Sequence, residues 1–367
     1  MKKVMILTDV DFWRRGAGHR ARISQLVRYL SGKVYLTVMY IGGLADGSAD
    51  LAASEGAYDL ISLPDDKAPT GSQYLSLLKK IIKDAHFDWC IVEYIHLTLY
   101  IENFSALTRF ILDLHDINSE RYQSFKEYGY PAAQVALSKG QEKRIYALYD
   151  YIMVLCEPDF RSLAQMVPKK KLLLNPHPET IRERYIRKRV KSVGFVASEY
   201  LPNRDAILFF IDKCWPRIVR KHNVELLIFG NVVNTISRAI QDTTIKLKGF
   251  VEDAEEIYGQ IDIVINPVRF GAGLKIKNIE ALANGLPLVT TTHGARGIEE
   301  AAQKSFVLAD SPDEFTYQLD ELIQNYGLRK KLSRSAKKFI RDSYSPDHCF
   351  ESLYYVISRT NHPAQPE

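Results

Sequence analysis

Cysteine is scarce in this 367-residue chain, and the four that occur, Cys90, Cys156, Cys214 and Cys349, are scattered. None forms a C-x-x-C pair, which argues against a disulfide framework, a zinc finger or a thioredoxin-like redox site. Cys90 and Cys156 lie inside apolar runs and read as small buried hydrophobes. The nine histidines show no H-E-x-x-H or comparable spacing, so no metal site built by the protein is expected. Long apolar runs are missing too. The best candidate, residues 89–100, is broken by Glu93 and His96, and no membrane-spanning helix is expected. The first residues, MKKVMILTDVDFW, have too short an apolar run for a secretory signal and suit a first buried strand. A cytoplasmic location follows as an expectation. Internal repeats and low-complexity stretches are lacking. Charge of one sign is also modest, at a net +5, which calls for no nucleic-acid partner. It suits phosphorylated ligands or an anionic membrane surface. Basic residues gather at 169–171 and at Arg182, Arg184, Arg187, Lys188, Arg189 and Lys191; a solvated linker face explains them at least as well as a membrane patch.

What is present is alternation. With 46% hydrophobic and 25% charged residues the chain is a globular α/β candidate long enough for two cores. Short apolar runs at 4–7, 34–40, 89–92, 110–114 and 151–155 are nearly continuous in Val, Ile, Leu and Tyr, as parallel strands covered on both faces should be. Helical periodicity fills the gaps, with Ile23, Leu26, Val27 and Leu30 on one face of 18–30 and Leu75, Leu78, Ile81 and Ile82 on one face of 73–83. The pattern stalls at Asn175-Pro176-His177-Pro178 and restarts with strand-like runs at 192–197, 224–229, 245–247, 261–266 and 287–291. Helical patterns at 204–221, 254–259, 276–284 and 312–325 separate them. Two doubly wound Rossmann-like domains, 1–178 and 179–345, are expected to face a central cleft. A last helix, 346–358 within residues 346–367, is expected to pack back on the first domain. Ligands of such sheets bind at the carboxyl ends of the strands.

The segment 266–298 concentrates the chemistry. A strand ends at Asn266-Pro267, Gly271 and Gly273 open the backbone, and a helix begins at Ile276. A glycine loop entering a helix offers free N–H groups at a positive dipole end, suited to a diphosphate. Lys275 and Lys277 add charge. Glu280, a turn into the helix, can accept hydrogen bonds from both ribose hydroxyls of a nucleotide. Gly285 and Pro287 end the helix. An ordinary strand–loop–helix crossover has the same spacing.

This segment resembles the donor-site signature of GT-B glycosyltransferases, above all the retaining family 4, or group 1. The carriers are Glu280-Ala281-Leu282-Ala283-Asn284-Gly285-Leu286-Pro287, then Thr290–Thr292 and Gly294-Ala295-Arg296-Gly297-Ile298. Pro202-Asn203-Arg204-Asp205-Ala206, the strand ending at Gly230, and Lys248-Gly249-Phe250-Val251-Glu252-Asp253 agree with it. The resemblance covers residues 192–300 strongly and the first half weakly. It implies a GT-B fold and transfer of a sugar from a nucleoside-diphosphate sugar to a hydroxyl of a glycan or lipid-linked acceptor. Retention of anomeric configuration and no required metal or other cofactor are also implied. It implies donor contacts from Gly16, Gly18, Arg204, Gly230, Phe250, Val251, Gly271, Gly273, Leu274, Lys275, Lys277 and Glu280. Catalytic roles fall to His115, Asp116 and Lys275. Eight positions before Glu280, where most of the family has a glutamate on the transferred sugar, this chain has Ala272, so the sugar cannot be inferred.

In the first half, Trp13, Arg14, Arg15, Gly16 and Gly18 form a loop before a helix starting near His19. Asp113-Leu114-His115-Asp116 closes an apolar strand, with Glu93 and His96 weaker candidates nearby. Glu142 and Arg144 read as structural. A surface polysaccharide or lipid-linked oligosaccharide of a bacterium is the expected acceptor class, and residues 73–83 with Lys79, Lys80 and Lys83 are a candidate contact with the inner membrane, although a core-packed helix suits them better. Two other readings fit the same folds: a nucleotide-sugar epimerase and a non-catalytic nucleotide-sugar-binding protein. A dinucleotide-dependent oxidoreductase does not, because the loop after the first strand lacks G-x-G-x-x-G and the second strand ends in Tyr40-Ile41-Gly42.

Overall fold

The computed structural model describes residues 1–14, 16–63, 79–82, 86–130 and 136–359. Two parallel sheets organise it. The first has seven strands: β1 (Lys3–Thr8), β2 (Tyr35–Ile41), β3 (Asp59–Leu63), β4 (Trp89–Glu93), β5 (Arg109–Leu114), β6 (Tyr151–Val154) and β7 (Leu172–Leu174). Their order is β3-β2-β1-β4-β5-β6-β7. The second has six: β8 (Ser192–Val196), β9 (Glu225–Phe229), β10 (Ile245–Gly249), β11 (Ile263–Asn266), β12 (Leu288–Thr290) and β13 (Val307–Leu308), in the order β10-β9-β8-β11-β12-β13. In each, the order reverses beside the first strand, between β1 and β4 and between β8 and β11. Those reversals open crevices at the carboxyl ends of the strands. Val4, Met5, Ile6 and Leu7 are wholly buried, as are Ile91 and Val92 in β4, because helices cover both faces of a parallel sheet.

Helices α1 (Gly18–Leu30), α2 (Asn118–Glu127), α3 (Lys139–Ala147) and α4 (Glu157–Leu163) belong with the first sheet; α5 (Leu201–Lys213), α6 (Ala254–Gly259), α7 (Ile276–Ala283), α8 (Pro312–Gln324) and α9 (Tyr326–Ser343) belong with the second. Local chemistry sets several ends. Ser138 with Gln141, and Ser311 with Glu314, form reciprocal capping boxes that start α3 and α8. Helix α7 stops in a Schellman arrangement: Gly285 N–H donates to the Leu282 carbonyl and Leu286 N–H to the Ala281 carbonyl. The last helix, α10 (Pro346–Arg359), returns to the first sheet's side. Its Cys349 carbonyl accepts from Asn175 Nδ2 at 2.6 Å, and Phe350 packs 5.1 Å from Tyr29 of α1.

Three strands, β3, β7 and β13, extend the sheets beyond the strand pattern of the sequence, and α2, α3, α4 and α9 add helices to it. The stretch 204–221 divides at Cys214 into α5 and a short helix, Trp215–Val219, with Pro216 in its first turn. Of the expected helix over 73–83 only residues 79–82 are described, and they are helical; the remainder, and Arg15, lie outside the described residues. The basic linker is bonded to the second sheet's side. Arg184 donates to Asn284 Oδ1 at 2.6 Å, Arg187 to Asp262 at 3.0 Å, and Arg182 N–H to the Ala283 carbonyl.

Candidate active site

A cleft of about 990 Å³ lies between the two sheets, where the two crevices meet. One wall is the loop from β11 into α7. A buried polar mesh fixes that loop: Asn266 Nδ2 donates to Asn278 Oδ1, and Asn278 Nδ2 donates to the Gly294 carbonyl. Gly271 and Gly273 have φ of +111° and +69°. At Gly273 a side chain is excluded twice, since a Cβ there would stand 2.7 Å from the His115 carbonyl oxygen of the opposite half. Helix α7 carries no side-chain N-cap and no acid in its first turn. Asn278 N–H donates to the Lys275 carbonyl, which leaves the N–H groups of Ile276 and Lys277 to an anion.

Three charged groups of α7 and its approach line this wall. Lys275 Nζ donates to the Ala272 and Gly273 carbonyls, and burial lowers its pKa to about 8. Lys277 Nζ donates to Asn203 Oδ1 at 2.7 Å, and burial, with Lys275 nearby, lowers it to about 7. Glu280 accepts the Tyr258 hydroxyl at 2.8 Å, and burial, with Glu179 adding repulsion, raises it to about 7. The site holds unneutralised cationic capacity at one end and a hydroxyl-accepting carboxylate at the other.

The opposite wall comes from β4, β5 and α1. His115 Nε2 is 2.9 Å from Glu93 Oε2, and its ring stacks on Tyr94 at 4.2 Å. Burial pushes the histidine down, but the Glu93 bond and Asp113 more than offset it, so it titrates above its ordinary value. Burial, reinforced by Asp113, raises Glu93 to about 7. Asp113 is taken by Arg22, an ion pair with no exposure on either side. Glu93, Asp113 and His115 form the one cluster of three potential metal ligands among the described residues. Arg22 holds Asp113 and His115 holds Glu93 Oε2, whereas Glu93 Oε1 is buried without a partner. Asp116 is held through both oxygens by Arg121, at 2.8 and 3.0 Å.

Most residues singled out from the sequence converge here. His115, Asp116, Gly16, Gly18, Gly230, Phe250, Val251, Gly273, Leu274, Lys275, Lys277 and Glu280 all line the cleft. Two do not. Arg204 is exposed outside it, because its neighbour Asn203 is buried and turned inward; consecutive helical residues point about 100° apart. Gly271 spends its N–H on Ser124 Oγ of α2, at 2.9 Å, instead of facing the cleft. The cleft also contains residues that the pattern did not single out: Asn203, Tyr258, Tyr94, Glu179 and Arg182. Asn203 was legible as the neighbour of Arg204. Glu179 and Arg182 were hidden in a charged linker that resembles a solvated face.

The two facing doubly wound sheets, with a glycine loop and helix N-terminus on the second and a histidine on the first, are the architecture of the GT-B class. Residues 190–325 match the family described as "Glycosyl transferases group 1", so the second sheet's half carries that family's signature. TarM of S. aureus, solved as a mutant with Fondaparinux, alpha-GlcNAc-glycerol and UDP, superposes with a TM-score of 0.76 at 11% identity, covering 98% of this chain and all of that one. HepE of Anabaena, solved with UDP and glucose, gives 0.73 at 12% identity over 98% and 100%. At such identities these show the fold, and the fold is GT-B. A 44.6 kDa protein of the cps region of Klebsiella pneumoniae is 26% identical over 174 residues, 44% of this chain and 45% of that relative. The chain thus matches about half the length of this curated relative. Among the described residues, no helix is long and apolar enough to cross a membrane.

Proposed function

We propose that this protein is a glycosyltransferase moving a sugar from a nucleoside-diphosphate donor to a hydroxyl of a glycan or lipid-linked acceptor. The observation that carries the reading is the α7 wall. The N–H groups of Ile276 and Lys277, with the Lys275 and Lys277 side chains, lie about a turn from Glu280, a spacing suited to a diphosphate followed by a ribose. As the bond from the sugar C1 to the diphosphate breaks, charge grows on the leaving oxygens, and the two lysines and the helix end stabilise it. The acceptor oxygen forms the new C1–O bond, and its proton leaves with the diphosphate. His115, oriented by Glu93, contacts the transferred sugar, and Asp116 orients the neighbouring groups. Retention without a metal fits this arrangement, in which no carboxylate need attack the sugar. The cps-region relative favours a role in bacterial surface polysaccharide or glycoconjugate synthesis, in the cytoplasm or at the cytoplasmic face of the inner membrane.

The test is a thermal-shift screen of UDP-, GDP-, ADP- and dTDP-sugars with and without EDTA, because a bound donor must stabilise the fold. One nucleotide series is expected to raise the melting temperature equally with and without chelator. Failure of every nucleotide to do so defeats the reading. The anomeric configuration of the first isolable product, read by NMR, then tests retention.

A further inference from the structure

The chain crosses between the two halves twice, once in the linker after β7 and once between α9 and α10. The two crossings are bonded to each other, since Glu179 N–H donates to the Tyr344 carbonyl at 2.8 Å. The linker is anchored on the first half by two side chains. Asn175 Nδ2 donates to the Cys349 carbonyl and to Ser352 Oγ of α10, and Arg22 of α1 donates to the Pro176 carbonyl at 2.8 Å. A rotation of one half against the other has to be absorbed at these crossings. His177 stands there, two residues from the Glu179 bond. It is wholly buried, and neither ring nitrogen meets a hydrogen-bond partner in the chain. Glu179 Oε2 is 3.9 Å from Nε2, too far for a bond. A neutral imidazole has one donor and one acceptor, so this burial costs free energy on both nitrogens. An apolar side chain would fill the place without that cost, and the imidazole therefore asks for a role beyond packing.

Charge sets the direction in which it acts. The charged and titratable groups facing His177 are Glu179 in the linker itself, Arg22 of α1 and His115 at the end of β5. Arg22 is paired with Asp113 of β5. Burial pushes the imidazole below its ordinary value; Glu179 opposes this, and Arg22 and His115 add to it. The ring is thus neutral while the halves are together. A bend of the linker that lets water reach the ring returns it to the ordinary value near 6.5, where it can take a proton. Opening then takes up a proton. The closed form is favoured above about pH 6.5 and loses ground as pH falls below it. Glu179 also lines the cleft and repels Glu280, so the hinge and the α7 wall share a carboxylate.

We infer that His177 is a proton-sensitive latch in the hinge, buried and neutral in the closed cleft, hydrated and protonated in the open one, so that acid opens the molecule and releases what the cleft holds. The inference concerns the hinge and does not depend on which ligand the cleft takes. Small-angle scattering of the whole chain without ligand, at pH 7.5 and 5.5, tests it. The native chain should expand on acidification, its open-to-closed ratio rising by up to about tenfold. His177→Phe and His177→Leu remove the titrating ring and the unbonded nitrogens together. Both should be at least as compact as the native chain at pH 7.5 and should stay so at pH 5.5. His177→Gln, polar but without a titration in this range, serves if the apolar variants do not fold, and it should also lose the acid expansion. UDP affinity by calorimetry should fall less between the two pH values in these variants than in the native chain. A native chain that keeps its radius of gyration at pH 5.5, variants that expand as much as it does, or an apolar variant more open than it at pH 7.5 overturns the inference. Acid expansion that depends on His177 in a chain that binds no UDP strikes the donor reading and leaves the latch standing.

Discussion

At the scale of single residues, the donor wall is a set of ionisable groups kept from their preferred charge. Lys277 is the sharpest case. Held by Asn203 and over the Phe195 ring, it titrates near 7 and is largely neutral above that pH. A diphosphate beside it favours the charged form, so binding at alkaline pH must draw a proton from solvent. Donor or UDP affinity should therefore weaken by about tenfold between pH 7 and 8.5, and Lys277→Met should bind weakly with most of that slope removed. Calorimetry across this range, repeated in buffers of different ionisation enthalpy, reads both the affinity and the proton uptake. A flat profile in the native chain contradicts the assignment. Glu280 gives an independent check of opposite kind. Its folded pKa, about 7, lies above the unfolded value near 4.5, so it favours the folded state below pH 4.5 and that contribution disappears as pH rises through 7. Glu280→Gln should melt higher than the native chain at pH 8 and close to it at pH 4.5. The same variant should bind UDP at least about tenfold more weakly, because a ribose hydroxyl loses its carboxylate. A variant that melts alike at both pH values, or keeps full UDP affinity, would count against the half-buried carboxylate proposed to bind the ribose.

At the scale of elements, the glycine loop shows what can be read from sequence and what cannot. The spacing of Gly271, Gly273 and Gly285 foretold a loop, a helix and its stop, and α7 runs from Ile276 to Ala283 between them. What the spacing could not show is that Gly273 is required by a neighbour 158 positions away, the His115 carbonyl. Gly273→Ala should cost about 1–3 kcal/mol from φ strain, and the clash should add to it by forcing the halves apart. Urea unfolding measures the first, and UDP affinity, falling by more than the stability loss alone can explain, measures the second. Wild-type affinity in Gly273→Ala would show that the close approach is not needed. The strands that escaped the sequence pattern share a cause. β7 and β13 have three and two residues, too few for a periodicity, and β3 begins with Asp59 and is only partly buried. Helix α9 was hidden differently, since its exposed faces are crowded with Lys and Arg and its buried stripe, Arg329, Leu332, Ser333, Ala336 and Ile340, itself includes an arginine and a serine. Asn203 and Arg204 make the same point side by side. The pattern located the first turn of α5, but only the burial of Asn203 reveals which of the two turns toward the cleft.

At the scale of the whole molecule, the halves meet around the cleft through a few specific contacts, and these should set how readily it opens. Arg296, just beyond the glycine-bearing stretch of the second half, reaches Asp159 of α4 at 2.6 Å and Glu120 of α2 at 2.9 Å in the first. Asp159 is almost wholly buried, so its charge depends on Arg296 while the cleft is closed. On the far side Phe270 lies between Tyr128 and Tyr130, at 4.7 and 5.6 Å and nearly parallel to both, and Phe250 covers the backbone of Gly16. The aromatic contacts are apolar and insensitive to salt, whereas the Arg296 contacts are charged and partly exposed. Closure therefore has a component that salt can screen. Removing Arg296 leaves Asp159 buried without a cation in the closed form, a cost that opening the cleft relieves by hydrating the carboxylate. Arg296→Ala should therefore increase the radius of gyration measured by small-angle scattering, and UDP should restore the compact value only in part. The double change Arg296→Ala with Asp159→Asn should recover compactness, since it removes the unpaired charge along with its partner. If the single variant scatters as the native chain does, the Arg296 cluster is a by-product of closure, and the aromatic contacts around Phe270 hold the two halves together.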